Sequence, residues 1–169
     1  PEYPEMGWYF LLSALSGSTI TGHVLAALVQ PVLLALALTY LFRALGGSPA
    51  RLAPIAAPWI VTLIVVLVNR QRGLDFGSLL WSLRHASTVI VAVLALGAFV
   101  RAVTTPSRSA RWLLAALTAL GCASDMLFLP VFLFPAVGAL AALAGAGRIA
   151  SSRAGAHAAA LLGAAAVGL

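Results

Sequence analysis

The feature that most constrains this chain is a long apolar run, residues 112–147, in which Asp125 is the one charged residue. The run holds about 36 residues, whereas one membrane-crossing helix needs about 20. It is therefore too long for one crossing and long enough for two short or tilted ones. Asp125 lies near its middle, and two prolines follow within ten residues. The run predicts a helical hairpin that turns at Ser124 and Asp125.

Asp125 has two compatible roles at such a turn. A turn at the membrane surface keeps the carboxylate hydrated, whereas burial in hydrocarbon would cost several kcal/mol. Ser and Asp are preferred N-cap residues, so Asp125 can cap the second helix of the hairpin. A hydrated carboxylate can also act in catalysis. Both interpretations, helix cap and catalytic carboxylate, stay open from the sequence.

The composition assigns the chain to the class of helical membrane proteins. Of its 169 residues, 62% are hydrophobic and 8% are charged, and a soluble domain of this size cannot bury so much apolar surface. The predicted fold is an all-α polytopic membrane protein with about five full transmembrane helices, an interfacial helix and a truncated sixth span. Residues 1–169 are predicted to form one transmembrane domain, an internal piece of a longer chain.

Loop residues and apolar stretches give the order of these elements. Residues 1–7 predict a loop, and residues 8–16 predict a helix on the membrane surface, since their aromatic cluster is typical of the interface. The predicted spans are residues 20–45, 52–68 and 85–100, the two arms of the hairpin, and residues 154–169. Small residues in the last third predict close packing between helices.

The ten basic residues are all arginine, and their distribution predicts an orientation. With the N-terminal loop outside the cell, seven arginines fall on the inner side and three on the outer side, as the positive-inside rule favours. All four acidic residues then lie outside, which the same rule explains without any function. Arginines in loops are topology signals here, so no nucleic-acid partner is predicted.

Four residues on the predicted outer side are candidate ligands of a lipid phosphate: Arg70, Arg72, Arg84 and His85. A guanidinium group binds phosphate through two hydrogen bonds. The alternative is that these side chains contact lipid headgroups without specificity. Glu5 is a second candidate carboxylate near the surface, as a base or a divalent-ion ligand. The alternative for Glu5 is a solvated loop acid.

Other chemistries lack their sequence signatures. The lone Cys122 offers neither a disulfide framework nor a thiolate metal site. No paired histidines indicate zinc, so no metal ligands are assigned. No nucleophile-elbow pattern is present. Spans one to three carry no charge between their ends, which speaks against a transporter with ionisable groups deep in the membrane.

Three short motifs together resemble the glycosyltransferase-C superfamily, especially bacterial relatives of protein O-mannosyltransferases and aminoarabinose transferases. They are Tyr3-Pro4-Glu5-Met6, the predicted span that begins at His85, and the Ser124-Asp125-x-Leu-Phe turn. Glu5 stands where similar proteins carry the second proline of a Pro-Pro-Leu segment. Their catalytic carboxylate usually lies in the first outer loop, upstream of the first residue of this chain.

The resemblance implies an enzyme of the bacterial plasma membrane that transfers a sugar from a polyprenyl-phosphate donor on the extracytoplasmic side. Glu5 and Asp125 would be its catalytic carboxylates, and the outer arginines with His85 would neutralise the leaving phosphate. The cofactor is open, with a divalent metal ion implied by the family. Membrane lipids are the expected partners. The alternatives are a transporter or flippase for a lipid-linked or small polar substrate, and a non-catalytic membrane subunit.

Overall fold

The computed structural model of the protein describes residues 3–47, 86–105 and 107–169. These residues form six α-helices and one π-helical turn. The elements, in chain order, are α1 (Tyr3–Ser16), α2 (Thr19–Ala44), α3 (Ala86–Thr104), α4 (Arg108–Ser124), the π-helical turn (Leu129–Leu133), α5 (Phe134–Gly145) and α6 (Ser151–Gly168).

Helices α1 and α2 form a tight hairpin. Gly17 has a φ of 66°, a left-handed conformation that glycine adopts without steric cost. Ser18 then caps α2, because its side chain accepts a hydrogen bond from the backbone N–H of Thr21 at 3.3 Å. Helix α1 starts at Tyr3 and not at Trp8, so the predicted N-terminal loop is wrong. Pro4 is compatible with this start, since proline is tolerated in a first helical turn.

Helix α3 lies at the centre of the remaining bundle and packs against α2, α4 and the π-helical turn. Its core face is a stripe of small residues with helical spacing, Ala95, Ala98 and Ala102, beside Phe99. Because alanine side chains are short, neighbouring backbones come close at this stripe. Tyr40 of α2 packs against Gly97 of α3.

The π-helical turn follows from two prolines. Neither Pro130 nor Pro135 has a backbone N–H, so each removes one α-helical hydrogen bond. In place of the usual bond across four residues, the N–H of Phe134 donates to the carbonyl of Leu129, five residues back. The chain between α4 and α5 therefore carries one wide turn, with Phe132 and Leu133 buried against the core.

The prediction of about five full transmembrane helices is wrong. Among residues 3–47, 86–105 and 107–169, one helix is long and apolar enough to cross a membrane, and its apolar window is Ser87–Thr104 in α3. This window overlaps the predicted third span. The predicted second span, residues 52–68, lies outside the described residues.

The helices found at the other predicted spans are shorter or less apolar than the sequence predicted. Two further apolar stretches, Val32–Ala44 and Leu129–Gly145, have 10–17 residues. Helix α4 has 17 residues and begins with arginine, so its apolar part is below the required length of about 20. Helix α6 is 18 residues of mostly alanine and glycine, with Arg153 and His157 in its first two turns.

The close approach of Gly121 to Phe128 generates a prediction about stability. A Cβ at Gly121 would lie 2.5 Å from ring atoms of Phe128, which is fully buried. We expect Gly121→Ala to lower the free energy of unfolding by about 1–3 kcal/mol, because overpacking a closed core forces its neighbours apart. Thermal or denaturant unfolding in neutral detergent measures this change.

The matched control is Gly163→Ala in α6, where an added Cβ meets nothing within 4 Å. Replacing this helical glycine should stabilise the protein by about 0.5–1 kcal/mol. Equal effects from the two substitutions would mean that Gly121 does not lie against Phe128.

Candidate functional site

Asp125 lies at the turn that the sequence placed there. Helix α4 ends at Ser124, and the backbone N–H of Asp125 donates to the carbonyl of Gly121. One carboxylate oxygen, Oδ1, accepts a hydrogen bond from the N–H of Leu127 at 2.9 Å. The other, Oδ2, accepts one from the hydroxyl of Thr88 in α3 at 2.8 Å. Asp125 therefore closes its own turn and ties it to the first turns of α3.

The side chain of Asp125 bonds to the N–H two residues onward, as in an Asx turn or a helix N-cap, and the carbonyl of Asp125 accepts from the N–H of Phe128 at 2.9 Å. Asp125 is at the same time the C-cap residue of α4. Its half-buried side chain has a structural role in this contact. The catalytic role of Asp125 stays a prediction.

The other predicted site residues are largely beyond the described part of the chain. Arg70, Arg72, Arg84 and His85 lie outside it, so their predicted role in binding a lipid phosphate stays a prediction. Glu5 lies in the first turn of α1 and not in a loop. Its predicted catalytic role stays untested. Within the described ranges no three His, Cys, Asp or Glu side chains form a group that could hold a metal ion.

A cluster that the sequence analysis did not assign to a site lies at the other end of the bundle. The six arginines of the described ranges are found at or next to helix ends there. They are Arg43, Arg101, Arg108, Arg111, Arg148 and Arg153. Arg101 stacks over the ring of Tyr40, with 5.7 Å between the guanidinium carbon and the ring centroid. This stacking places the C-terminal ends of α2 and α3 at the same end.

Two of these arginines border a cleft of about 350 Å³ between α4 and α6, closed at one side by α3. This volume is at the lower end of the range for small-molecule sites. We call it the arginine–histidine cleft. Its lining residues are Ala102, Arg111, Leu114, Ala115, Arg153, Ala156, His157, Ala160 and Leu161.

The three polar side chains of the cleft differ in exposure. Arg111 and Arg153 are exposed, whereas His157 is only 9% exposed. Burial lowers the pKa of His157 below its ordinary value, and the positive charges of Arg153 and Arg111 lower this pKa further. All three causes disfavour the charged imidazolium, so His157 is neutral at pH 7.

No carboxylate of residues 3–47, 86–105 and 107–169 lines the cleft beside these cations. The nearest acid along α4 is Asp125, fourteen residues after Arg111 and about 21 Å away along the helix axis. Ser107 caps α4 through a 3.3 Å bond from the N–H of Ala110, but Ala150, at the start of α6, supplies no capping side chain. The partial positive charges of the N-termini of α4 and α6 are opposed by the C-terminal ends of α2 and α3 at the same end, so Arg111 and Arg153 supply most of the positive charge of the cleft.

This site is not predictable from the sequence, because Arg111 and Arg153 lie 42 positions apart and each is explained as a topology signal. The one local signal was the spacing of Arg153 and His157, since residues four apart share a helix face. That spacing alone does not reveal the partner helix.

No known protein family, curated sequence or solved structure matches this chain. The resemblance to the glycosyltransferase-C superfamily therefore stays a prediction. The function of this chain therefore has to follow from the chemistry of its own residues.

The contacts of Asp125 generate a second prediction. The free energy of unfolding of Asp125→Asn should lie within about 0.5 kcal/mol of the wild-type value. An amide oxygen can accept from the N–H of Leu127, and an amide N–H can donate to the Thr88 hydroxyl. Asp125→Ala should cost about 1–2 kcal/mol, because both contacts are lost. Denaturant unfolding compares the two. A loss in Asp125→Asn as large as in Asp125→Ala would show that the negative charge itself holds the turn.

His157 generates a third prediction, about pH. Because its pKa is lowered by folding, the unfolded chain binds more protons than the folded chain just below the ordinary value of 6.5. Stability should therefore fall as the pH drops through that value. Melting temperatures at pH 7.5 and 5.5 measure the fall. His157→Gln should reduce it, and an unchanged pH dependence would contradict a buried neutral imidazole.

Proposed function

We propose that this chain binds a phosphate-bearing anion in the arginine–histidine cleft. One observation carries the proposal. Arg111 and Arg153, from two different helices, border the same cleft together with the buried His157, and none of the described lining residues is a carboxylate. Two guanidinium groups in one cleft are suited to an anion that accepts several hydrogen bonds.

The side chains supply the right donors. Each guanidinium can give two parallel N–H donors to one edge of a phosphate. Neutral His157 offers one N–H donor, and its other ring nitrogen gains a proton when a nearby anion favours the charged form. The positive ends of α4 and α6 add to the attraction for the anion.

The lining favours binding over catalysis. Among the described residues the lining contains no hydroxyl, thiol or carboxylate, so the described part of the cleft supplies neither a nucleophile nor a carboxylate base. Of the predicted function classes, a non-catalytic membrane subunit with a ligand site agrees best with this lining. The predicted sugar transfer depends on residues outside the described ranges and remains a separate prediction.

We also propose that the chain is embedded in a lipid bilayer. Helix α3 contains an apolar window of sufficient length, and large apolar side chains stay exposed on the bundle. Examples are Trp112, Val131, Phe134, Leu162 and Val167. Exposed apolar surface of this kind fits lipid better than water. The arginine end would face the cytoplasm under the positive-inside rule, which places the cleft at the inner membrane surface.

The test is calorimetric titration of inorganic phosphate into the whole chain in neutral detergent, at constant ionic strength. We expect Arg111→Gln and Arg153→Gln each to weaken binding by about 1.5–3 kcal/mol, the scale for hydrogen bonds to charged groups. Arg148→Gln is the matched control, because Arg148 belongs to the same end but does not line the cleft. Equal losses in all three variants would reduce the effect to general charge attraction and overturn the proposal.

A further inference from the structure

The polar side chains of the arginine–histidine cleft lie in its first half. Arg153 comes first along α6, the buried His157 follows one turn later, and the described lining of α6 beyond it consists of Ala160 and Leu161. The distance from Arg153 to Ala160 is seven residues, or about 10 Å along the helix. The cleft is therefore a groove with two cations and a histidine in its first half and apolar side chains in its second half.

The floor of this groove is closed. Leu114 is 4% exposed and Leu161 is 1% exposed, and both line the cleft together with the buried His157. A phosphate ion at the arginines would leave the apolar part of the groove in contact with water. A ligand with an apolar chain would cover it.

The lining also excludes other phosphate esters. A sugar phosphate or a nucleotide carries hydroxyl groups or a base, and burying these groups without hydrogen-bond partners costs free energy. Apart from Arg111, Arg153 and His157, every lining residue is alanine or leucine. In the part of the chain that the structure describes, no lining side chain beyond the phosphate position can bond to a hydroxyl or a base.

We propose that the ligand is a single-chain lipid phosphate. Its phosphate lies between Arg111, Arg153 and His157, and its hydrocarbon chain lies in the groove between Ala115 and Ala160. This inference rests on the proposed anion site and adds the ligand class. Charge complementarity fixes the orientation, because the cations are at one end and the alanines extend from them.

The contribution of the chain can be measured separately from that of the headgroup. Burial of one methylene group contributes about 0.8 kcal/mol, which raises the affinity about fourfold. In the whole chain in neutral detergent, we expect octyl phosphate to bind at least about tenfold more tightly than butyl phosphate. The same titrations of the Arg153→Gln variant, which lacks one cation of the site, serve as the reference for partition of each compound into the detergent.

A variant that fills the groove completes the test. Ala160→Phe should abolish the advantage of octyl phosphate over butyl phosphate, because a phenyl ring would fill the apolar part of the groove. Ala159→Phe is the control, since Ala159 is an exposed neighbour on α6 outside the lining, and it should keep the full advantage.

The outcomes separate the two proposals. Equal affinity of the wild type for octyl and butyl phosphate, or an undiminished advantage in Ala160→Phe, overturns the lipid-phosphate proposal alone. Inorganic phosphate that binds equally well to wild type and Arg153→Gln overturns the anion site itself. The comparison of octyl with butyl phosphate in the wild type tests the lipid-phosphate proposal even if Ala160→Phe does not fold.

Discussion

The parallel packing of α4 and α6 is the arrangement on which the candidate site depends. Arg111 lies with Arg153 at one end of the pair, and Gly168 approaches the carbonyl of Ala119 at the other. Glycine permits this close approach, since any side chain there would overlap the α4 backbone. Parallel helices place both N-termini and their partial positive charges together. The packing that stabilises this half of the bundle therefore also concentrates positive charge, and it does so without a carboxylate in the cleft.

Local signals in the sequence predicted two of the helix boundaries. Gly17 and Ser18 separate α1 from α2, and α4 ends at Ser124, through side-chain or glycine chemistry that acts within a few residues. The start of α4 at Arg108, after the cap Ser107, lies before the predicted hairpin arm, which begins at residue 112. The number of membrane spans could not be predicted in the same way. Counting apolar residues treats alanine and leucine alike, and it does not show where an apolar run divides. Residues 112–147 divide into part of α4, a turn, the π-helical turn and α5, and none of these pieces is as long as the counting assumed.

The candidate site shows the same limit at the level of single residues. Asp125 could be singled out because one carboxylate within an apolar run requires an explanation, and its position in a turn was correct. Its partner Thr88 is 37 positions away, so no local pattern indicates that hydrogen bond. Arg111, Arg153 and His157 meet only through the packing of α4 on α6. The two arginines are visible in the sequence, but their position in one cleft, without a carboxylate among its described lining residues, is a property of the folded chain.

The π-helical turn has a consequence for how the bundle presents its surface. A turn with one additional residue rotates everything after it by about 100° relative to a continuous α-helix. That offset puts Ala136 and Leu140 of α5 on the core side and leaves Phe134 outside. If the same residues followed a regular α-helix, the side chains after the turn would be rotated by this angle, and Ala136 and Leu140 would leave the core. The two prolines thus set the angular phase of α5, and with it which side chains meet the protein and which meet its surroundings.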